Sequence, residues 1–369
     1  DVVAGSVSVF LKTDQCNGND GIYAHGEVTL TSSANFSADF CIYSKLGVEM
    51  SNHHVFYSGA HVGMPDLEDC KKCENAHNPG VEDAKLEMNM QLVDVSAHIT
   101  TVMNSMLNLT TNTEPLKDFV SEVSLGSDLT PLTDLGYKTS GLAKGDLIEI
   151  SAADFEAMDF VPEGLVYSVY CGSPLASSGA VTPSSSGSSS SSSSKGKGSS
   201  KTGGGSSGGG STKSLSFETP TGANIVDVAV MTDCEIDFGT TAYVQNTVIA
   251  TTSTSNKSVG AGAKAVIGSS SAACPSSEKV VVMTQGDMSV PAGMETNNVD
   301  FLIAGDMHLA SGTSTSATKR GTSFYIGGEA HLAAQGTWAA CGDGEDSFNG
   351  DLKVIRHVVP DSSIAAPTL

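Results

Sequence analysis

Two cysteines separated by two residues and followed by a histidine form the motif with the most direct chemical potential in this chain. The segment reads Cys70-Lys71-Lys72-Cys73 and continues to His77, with His53, His54 and His61 upstream. Thiolate and imidazole are the usual ligands of structural zinc, so Cys70, Cys73 and His77 could hold that ion. A redox-active pair and a plain disulfide are the other interpretations. This segment lacks the βαβ context of a redox pair, and an oxidising compartment favours the disulfide.

The other six cysteines bring the total to eight. An even number in a chain rich in Ser and Thr is typical of an oxidising compartment, so we predict disulfides. Neighbouring repeats suggest the pairs Cys16–Cys41, Cys171–Cys234 and Cys274–Cys341. Spacing alone leaves the connectivity open.

Acidic residues near the end of the sequence could bind calcium. Carboxylate oxygens of the kind that Ca²⁺ prefers are supplied by Asp343, Glu345, Asp346 and Asp351. Their spacing does not follow the EF-hand, which requires Gly at the sixth loop position, where this chain has Phe348. Calcium is therefore a candidate ligand, and the sequence indicates no other cofactor.

The sequence contains no His-Glu-x-x-His and no Walker loop, and Gly-x-Ser-x-Gly occurs only within the low-complexity Ser/Gly tract, at 204–208 and 205–209, where it is a product of composition. Carboxylates such as Asp20 and Asp66 are not accompanied by a base at a recognisable spacing. His25, His308 and His331 flank a repeated corner, and we expect them to face solvent. We therefore predict that the protein is not an enzyme.

A recurring sequence phrase indicates the elements that carry these residues. The phrase is an apolar segment followed by Gly, an acidic residue and then apolar-x-apolar. One copy reads Ile303-Ala304-Gly305-Asp306-Met307-His308-Leu309. Gly286, Gly305 and Gly328 are 19 and 23 residues apart. A period near twenty residues is typical of one turn of a solenoid. We predict an all-β, β-helix-like solenoid.

Two segments interrupt this pattern. Apolar residues at helical spacing predict one lateral α-helix over about 81–109. Residues 183–214 are dominated by Ser and Gly and contain four lysines, which predicts a flexible surface insertion. The predicted organisation is one solenoid in two parts, 1–182 and 215–369, interrupted by the insertion at 183–214.

Charge and hydropathy exclude several classes of partner. The net charge is −22 and the chain has two arginines, so a nucleic-acid or phosphate partner is disfavoured. The sequence has no apolar run of 18 residues, so we predict no transmembrane segment. A surface of Ser, Thr, Asn and Gly is common in secreted β proteins. We predict an extracellular, cell-surface or periplasmic location, and because the chain opens at Asp1 we expect a processed piece.

Several phrases resemble a known family. They are residues 41–50 (CIYSKLGVEM), 63–67 (GMPDL), 150–155 (ISAADF), 162–167 (PEGLVY) and 228–234 (VAVMTDC). In this order they resemble the C-terminal region of TadG-like proteins, which accompany Flp/Tad pilus assembly in bacteria. The resemblance implies an envelope or extracellular protein tied to a pilus. Such proteins usually begin with an anchoring helix, which this chain lacks, and they join the last two phrases by a short segment.

These observations together predict a non-enzymatic structural or adhesive protein that is pilus-associated or fibre-forming. Its expected partners are further copies of itself, other pilus or surface proteins, and polysaccharide. Two alternatives remain open. One is a carbohydrate-active β-helix that binds or cleaves polysaccharide, and the other is a calcium-dependent adhesion module.

Overall fold

The computed structural model describes residues 16, 20–37, 39–107, 123–172, 174, 214–217, 224–240, 242–262, 265–268, 279–290, 293–310, 318–333 and 336–340. This part of the chain is mostly β, and its strands pair in parallel and in register. The strands form three ladders, which we number in the order in which the chain visits them.

Ladder 1 has the longest stack of strands. In stacking order it contains β10 (Leu147–Ser151), β11 (Val166–Tyr170), β14 (Ala229–Thr232), β17 (Thr247–Thr251), β20 (Val280–Thr284), the second half of β22 (Glu295–Ile303), the second half of β24 (Thr318–Ile326), β1 (Gly21–Ala24), β4 (Cys41–Ser44), β7 (His61–Met64) and β9 (Lys85–Glu87).

Ladder 2 follows ladder 1 along the chain in each repeat. Its strands, in stacking order, are β12 (Ser214–Ser216), β15 (Glu235–Asp237), β18 (Val259–Gly260), β21 (Met288–Val290), β23 (Met307–Leu309), β25 (Ala330–Leu332), β2 (Val28–Leu30), β5 (Val48–Met50) and β8 (Cys70–Lys71). Ladder 3 contains β13 (Asn224–Val226), β16 (Tyr243–Gln245), β19 (Val266–Ile267), the first halves of β22 and β24, β26 (Gly336–Ala339), β3 (Ala34–Phe36) and β6 (Val55–Phe56).

The stacking order does not follow the chain order. β1 pairs with β24 on one side and with β4 on the other, with Ile22 opposite Phe324 and Ile42. The late repeats therefore continue directly into the early ones. The two outermost strands of ladder 1, β9 and β10, follow one another among the described strands, and the described residues between them include a helix that packs along the stack.

One hydrophobic cluster collects the inward side chains of all three ladders. Aromatic residues from neighbouring repeats stack inside it. The rings of Phe301 and Phe324 have centroids 4.8 Å apart and planes inclined by 6°. Because equivalent positions of successive parallel strands lie directly above one another, one residue type repeated at one position packs against itself.

Two kinds of corner connect the ladders. Between ladders 3 and 1 the chain passes through a left-handed residue, at Asp39, Gly59, Asp227, Asn246, Gly268, Asn298 and Gly321. Asn, Asp and Gly adopt this conformation most readily. The side-chain amide of Asn246 also donates to a carboxylate oxygen of Asp227, so consecutive corners are joined by a hydrogen bond.

The corner between ladders 1 and 2 contains the Gly-acid phrase. Oδ1 of Asp287 accepts the backbone N–H of Asp306 at 2.9 Å, and Oδ1 of Asp306 accepts that of Glu329 at 2.8 Å. A Cβ on Gly305 would lie 2.1 Å from the Asp287 carboxylate oxygen. Glycine is therefore required at this position, because the acid of the preceding repeat reaches across it.

A helix covers the outer face of ladder 1. Helix α2 (Val95–Leu107) buries Val95, Ile99, Val102, Met103 and Met106 against outward residues of β14, β17, β20 and β22. Strands with both faces buried contain almost continuous apolar sequence, as in Val280–Thr284. The covered face also holds the ion pair of Lys279 and Asp300, with 2.7 Å between Nζ and Oδ2.

The prediction of a single helix over 81–109 is wrong. Helix α1 (Val81–Ala84) is a single turn, and Lys85–Glu87 then pairs in parallel with β7. The residues Leu86, Met88, Met90 and Leu92 alternate at a period of two, which is the strand period. Helix α2 begins only at Val95, where the Asp94 carboxylate accepts the N–H of Ala97 at 3.0 Å.

The stack is covered at both ends. At the β10 end, α3 (Thr130–Asp134) and α4 (Ala152–Glu156) add Leu132 and Phe155 to the main core. The Tyr137 hydroxyl donates to the Glu149 carbonyl of β10 at 2.6 Å. At the β9 end, a 3-10 helix (Leu67–Asp69) precedes β8, and α1 lies beyond β6 with Val81 in the core.

We expect Ile99→Ala to lower the free energy of unfolding by about 2–5 kcal/mol, because Ile99 is fully buried between α2 and ladder 1. Urea unfolding measures this change. The matched control is Thr101→Ala on the exposed side of the same helix, which we expect to change stability by less than about 0.5 kcal/mol. Equal effects of the two substitutions would contradict the burial of this face.

Candidate functional site

The outer face of ladder 2 presents two rows of polar side chains to solvent. One row runs along the stack through Asp237, Gly260, Ser289, His308, His331, Thr29, Glu49 and Lys71. The other row lies two residues earlier along the chain, immediately before the strands, and includes Asp287, Asp306, Glu329 and Glu27. This face, unlike that of ladder 1, has no helix packed on it in the described residues.

A cleft of about 390 Å³ opens in this face where Gly260 interrupts the row. Its lining includes Ser214, Glu235, Asp237, Lys257 and Ser289. Gly260 lies between Asp237 and Ser289 in register, so its missing side chain creates the space. The lining thus combines two carboxylates, one ammonium group and two hydroxyls. Such a set can exchange hydrogen bonds with a polyhydroxylated ligand.

Glu235 and Asp237 are two residues apart on one strand, so both side chains point to the same face. The strand rise places their Cα atoms about 6.6 Å apart. Glycoside hydrolases use a pair of carboxylates, so the cleft contains the residue types that cleavage of a glycosidic bond requires. The sequence motifs discussed above do not include these two residues. An acid-x-acid pattern in a strand that alternates between faces is the signal that would have found them.

The three histidines that flank the corners do not form one row. His308 and His331 stack with ring centroids 4.9 Å apart and planes inclined by 3°. His25 precedes the glycine of its corner, and its Nε2 lies 2.9 Å from the Val93 carbonyl oxygen. Thr29 takes the place of a third histidine beside His331.

The Cys-x-x-Cys motif is a disulfide between Cys70 and Cys73. Its sulfurs are bonded to each other and are not free thiolates for zinc. His77 lies on the surface with its Nε2 3.5 Å from Glu74 Oε2. Between the cysteines, Lys71 Nζ lies 3.0 Å from a carboxylate oxygen of Glu27 and 3.5 Å from one of Glu49. The motif therefore closes the end of ladder 2 and adds a cation to its acidic face.

His54, upstream of this motif, is fully buried, and its contacts are those of a structural residue. Its Nδ1 accepts the N–H of Ala34 at 3.2 Å, and Nε2 lies 3.3 Å from the Leu30 carbonyl oxygen. This pattern corresponds to a neutral imidazole with the proton on Nε2. Burial lowers the pKa of His54, and a smaller effect of His53 acts in the same direction.

The remaining cysteines form the pairs that the repeats suggested, as far as the structure describes them. Cys16 is bonded to Cys41 and Cys171 to Cys234. Asp233 brings a third metal-ligand atom within 4.8 Å of the second pair, but its carboxylate accepts the N–H of Cys171 at 2.7 Å. Cys274, Cys341 and the calcium candidates Asp343, Glu345, Asp346 and Asp351 lie outside the described residues.

The chain belongs to the family described as a domain of unknown function (DUF7867), whose model matches residues 21–186 and 206–342. The interruption between the matched segments lies within the Ser/Gly-rich segment, and β11 and β12, on its two sides, belong to neighbouring ladders. No curated protein and no solved structure matches the chain. In the described part of the chain, no helix is long and apolar enough to cross a membrane.

We expect Gly260→Thr to fill the cleft without loss of stability. A Cβ at this position would meet its nearest atom, the Ser289 carbonyl oxygen, at 3.6 Å, and a β-branched residue suits a strand. The control is Gly268→Ala, whose Cβ would lie 1.7 Å from the Asn297 carbonyl oxygen at a φ of +84°. Thermal unfolding should show an unchanged or higher Tm for G260T and a much lower Tm for G268A.

Stability should decrease as the pH falls below about 6.5, the ordinary pKa of histidine, because unfolded His54 binds a proton that the buried ring resists. The pKa is lowered in the folded state, so the loss grows from pH 7 towards pH 5. We expect His54→Gln to have a smaller difference between the unfolding free energies at pH 7 and pH 5. His77→Gln, at an exposed position, should retain the full difference. Equal pH dependence of the two variants would contradict this assignment.

Proposed function

We propose that the three ladders form one β-helix-like solenoid. Four observations support this architecture. The ladders are parallel and in register, each repeat visits them in the same order, the corners recur with the same residue types, and the inward side chains share one core. A repeat of about twenty residues is common to such folds. In this proposal the segment 183–214 is an insertion at the corner between β11 and β12.

We further propose that the protein is a non-enzymatic, extracellular or cell-envelope adhesive protein, associated with a pilus or another surface fibre. The observation that carries this proposal is the outer face of ladder 2, a long polar surface with a cleft. The scaffold beneath it is cross-linked by disulfides. A rigid, repetitive surface suits a repetitive ligand, because successive repeats offer equivalent contacts.

Polysaccharide is the ligand that this face suits best. Carboxylates accept hydrogen bonds from sugar hydroxyls, and Lys257 adds a donor in the same cleft. The net charge of −22 disfavours a polyanion, so we propose a neutral or amino-containing glycan. This proposal concerns binding, and it assigns no bond cleavage to the cleft.

We propose lateral rather than end-to-end association of copies. An open strand edge would favour end-to-end pairing, but α1 and α3 contribute side chains that cover the core at the two ends. At the β10 end, the Asp146 carbonyl accepts the N–H of Val166 in β11. Three residues later, the Glu149 carbonyl points to the other side of the strand and is already used by Tyr137.

A carbohydrate-active enzyme is the second candidate. The presence of two carboxylates, Glu235 and Asp237, in the Gly260 cleft favours it, because glycoside hydrolases use such a pair as acid and as base or nucleophile. The two candidates differ in one measurable respect, the release of reducing ends.

The test uses the full chain with immobilised neutral and amino-containing polysaccharides. We expect saturable binding without release of reducing ends, and we expect Glu235→Gln/Asp237→Asn to weaken binding at least about tenfold, or 1.4 kcal/mol. Glu163→Gln/Asp159→Asn is the control, since it makes the same change of charge at exposed positions outside the cleft lining. Turnover that Asp237→Asn abolishes would support the enzyme instead, and absence of binding to every glycan would reject the adhesive proposal.

A further inference from the structure

Two successive repeats carry the same five-residue pattern, Gly-acid-x-His-Leu, at 305–309 and 328–332. Strands β23 and β25 align them so that His308 lies directly opposite His331. The two imidazoles are parallel and exposed to solvent, and small hydroxyl residues, Ser289 and Thr29, lie on either side of them in the row. The pair therefore has room to change rotamer without displacing a bulky neighbour.

A carboxylate lies two residues before each histidine on the same face. Glu329 Oε2 is 3.1 Å from His331 Nε2, and both side chains are about half exposed. Asp306 Oδ1 accepts the N–H of Glu329, which fixes the corner between the two repeats. Two imidazoles and two carboxylates thus occupy adjacent positions on neighbouring strands.

We propose that His308, His331 and Glu329 bind a divalent transition-metal ion, for which Zn²⁺ is the representative. A tetrahedral ion with ligands at about 2.0–2.1 Å holds its ligand atoms about 3.4 Å apart. The Glu329 oxygen and the His331 nitrogen are 3.1 Å apart, within hydrogen-bond distance, so the ion would take the place of the proton between them and that proton would move to Nδ1 or to water.

The second imidazole must move to complete the site. Equivalent atoms of the stacked rings are separated by approximately the centroid distance of 4.9 Å. The nitrogens must therefore approach by about 1.5 Å to share one ion. Small rotations about χ1 and χ2 of two surface side chains provide this movement at little cost. The fourth position would be open to water or to a group from another molecule.

The surrounding charge and the ligand type determine which ion is favoured. Asp287, Asp306 and Glu27 lie in the same corner row, in a chain of net charge −22, so the local field attracts cations. Imidazole selects Zn²⁺, Cu²⁺ and Ni²⁺ over Ca²⁺ and Mg²⁺, which prefer oxygen ligands. The site therefore differs from the calcium candidates near the end of the chain, and it does not depend on glycan binding at the Gly260 cleft.

Titration calorimetry of the full chain with ZnCl₂ tests the proposal. We expect saturable binding, with His308→Ala and His331→Ala each weakening it more than about tenfold. His77→Ala is the matched control, because His77 also pairs with a glutamate, Glu74, on the surface. All three histidines are on the surface, so circular dichroism should show an unchanged fold in the variants.

Electron paramagnetic resonance of the Cu²⁺-loaded protein provides a second readout that a structural role would not affect. Two imidazoles should give the hyperfine pattern of two equivalent nitrogens, and either single variant should reduce it to one. Absence of saturable Zn²⁺ binding would overturn the proposal. So would Zn²⁺ affinity that His308→Ala and His331→Ala leave unchanged, or that His77→Ala reduces as much as they do.

Discussion

The parallel pairing of β1 with β24 is the contact on which the rest of the structure depends. It joins residues that are about three hundred positions apart, with Ile22 opposite Phe324 and Tyr23 opposite Tyr325. The two tyrosine rings stack with centroids 5.2 Å apart. Without this pairing the early and late repeats would be two short stacks, each with one additional exposed edge. With it, one core runs through all of the described repeats.

This order also explains why the face of ladder 1 is covered and that of ladder 2 is open. The two ends of ladder 1, β9 and β10, follow one another among the described strands, so the connection between them starts at one end of the stack and finishes at the other. Helix α2 is part of that connection, and it buries its apolar side chains on ladder 1. The outward positions of ladder 1 are accordingly apolar, as at Val281 and Met283, whereas those of ladder 2 are polar, as at Ser289 and His308.

The corners show how a repeat maintains its geometry with few residue types. Thr284 Oγ1 accepts the N–H of Gly286, and Thr232 Oγ1 accepts that of Cys234, at 3.1 and 3.0 Å. Buried hydroxyls thus satisfy backbone groups that the bend removes from the ladder. On the surface, the carboxylate of Asp287 binds the next repeat rather than its own turn. Acids of the repeated phrase such as Asp287 therefore stabilise the corners by accepting backbone N–H groups. Glu235 and Glu329 occupy equivalent positions, and they are the carboxylates that the proposed ligand sites use.

The sequence by itself determined the local features. The period near twenty residues and the alternation of strands such as Met307–Leu309 depend on residue types at short separation, whereas the cysteine pairs that the repeats suggested became definite only in the structure. The sequence also contained the acid-x-acid and His-Leu patterns of ladder 2, although their spatial relation was not evident. The helix prediction was wrong at Lys85–Glu87, because the same apolar residues fit two periods and only the pairing with β7 selects the strand.

The tertiary structure decided which repeats are neighbours. β1 and β24 are about three hundred residues apart, and loop closure depends only weakly on such lengths. No short-range sequence pattern in β1 therefore identifies β24 as its partner. That partnership fixes which outward face is buried and which is free. The packing of Met283 under α2 and the contact of His308 with His331 arise within the late repeats, and they too were decided by the tertiary structure because they depend on which outward face the helix covers.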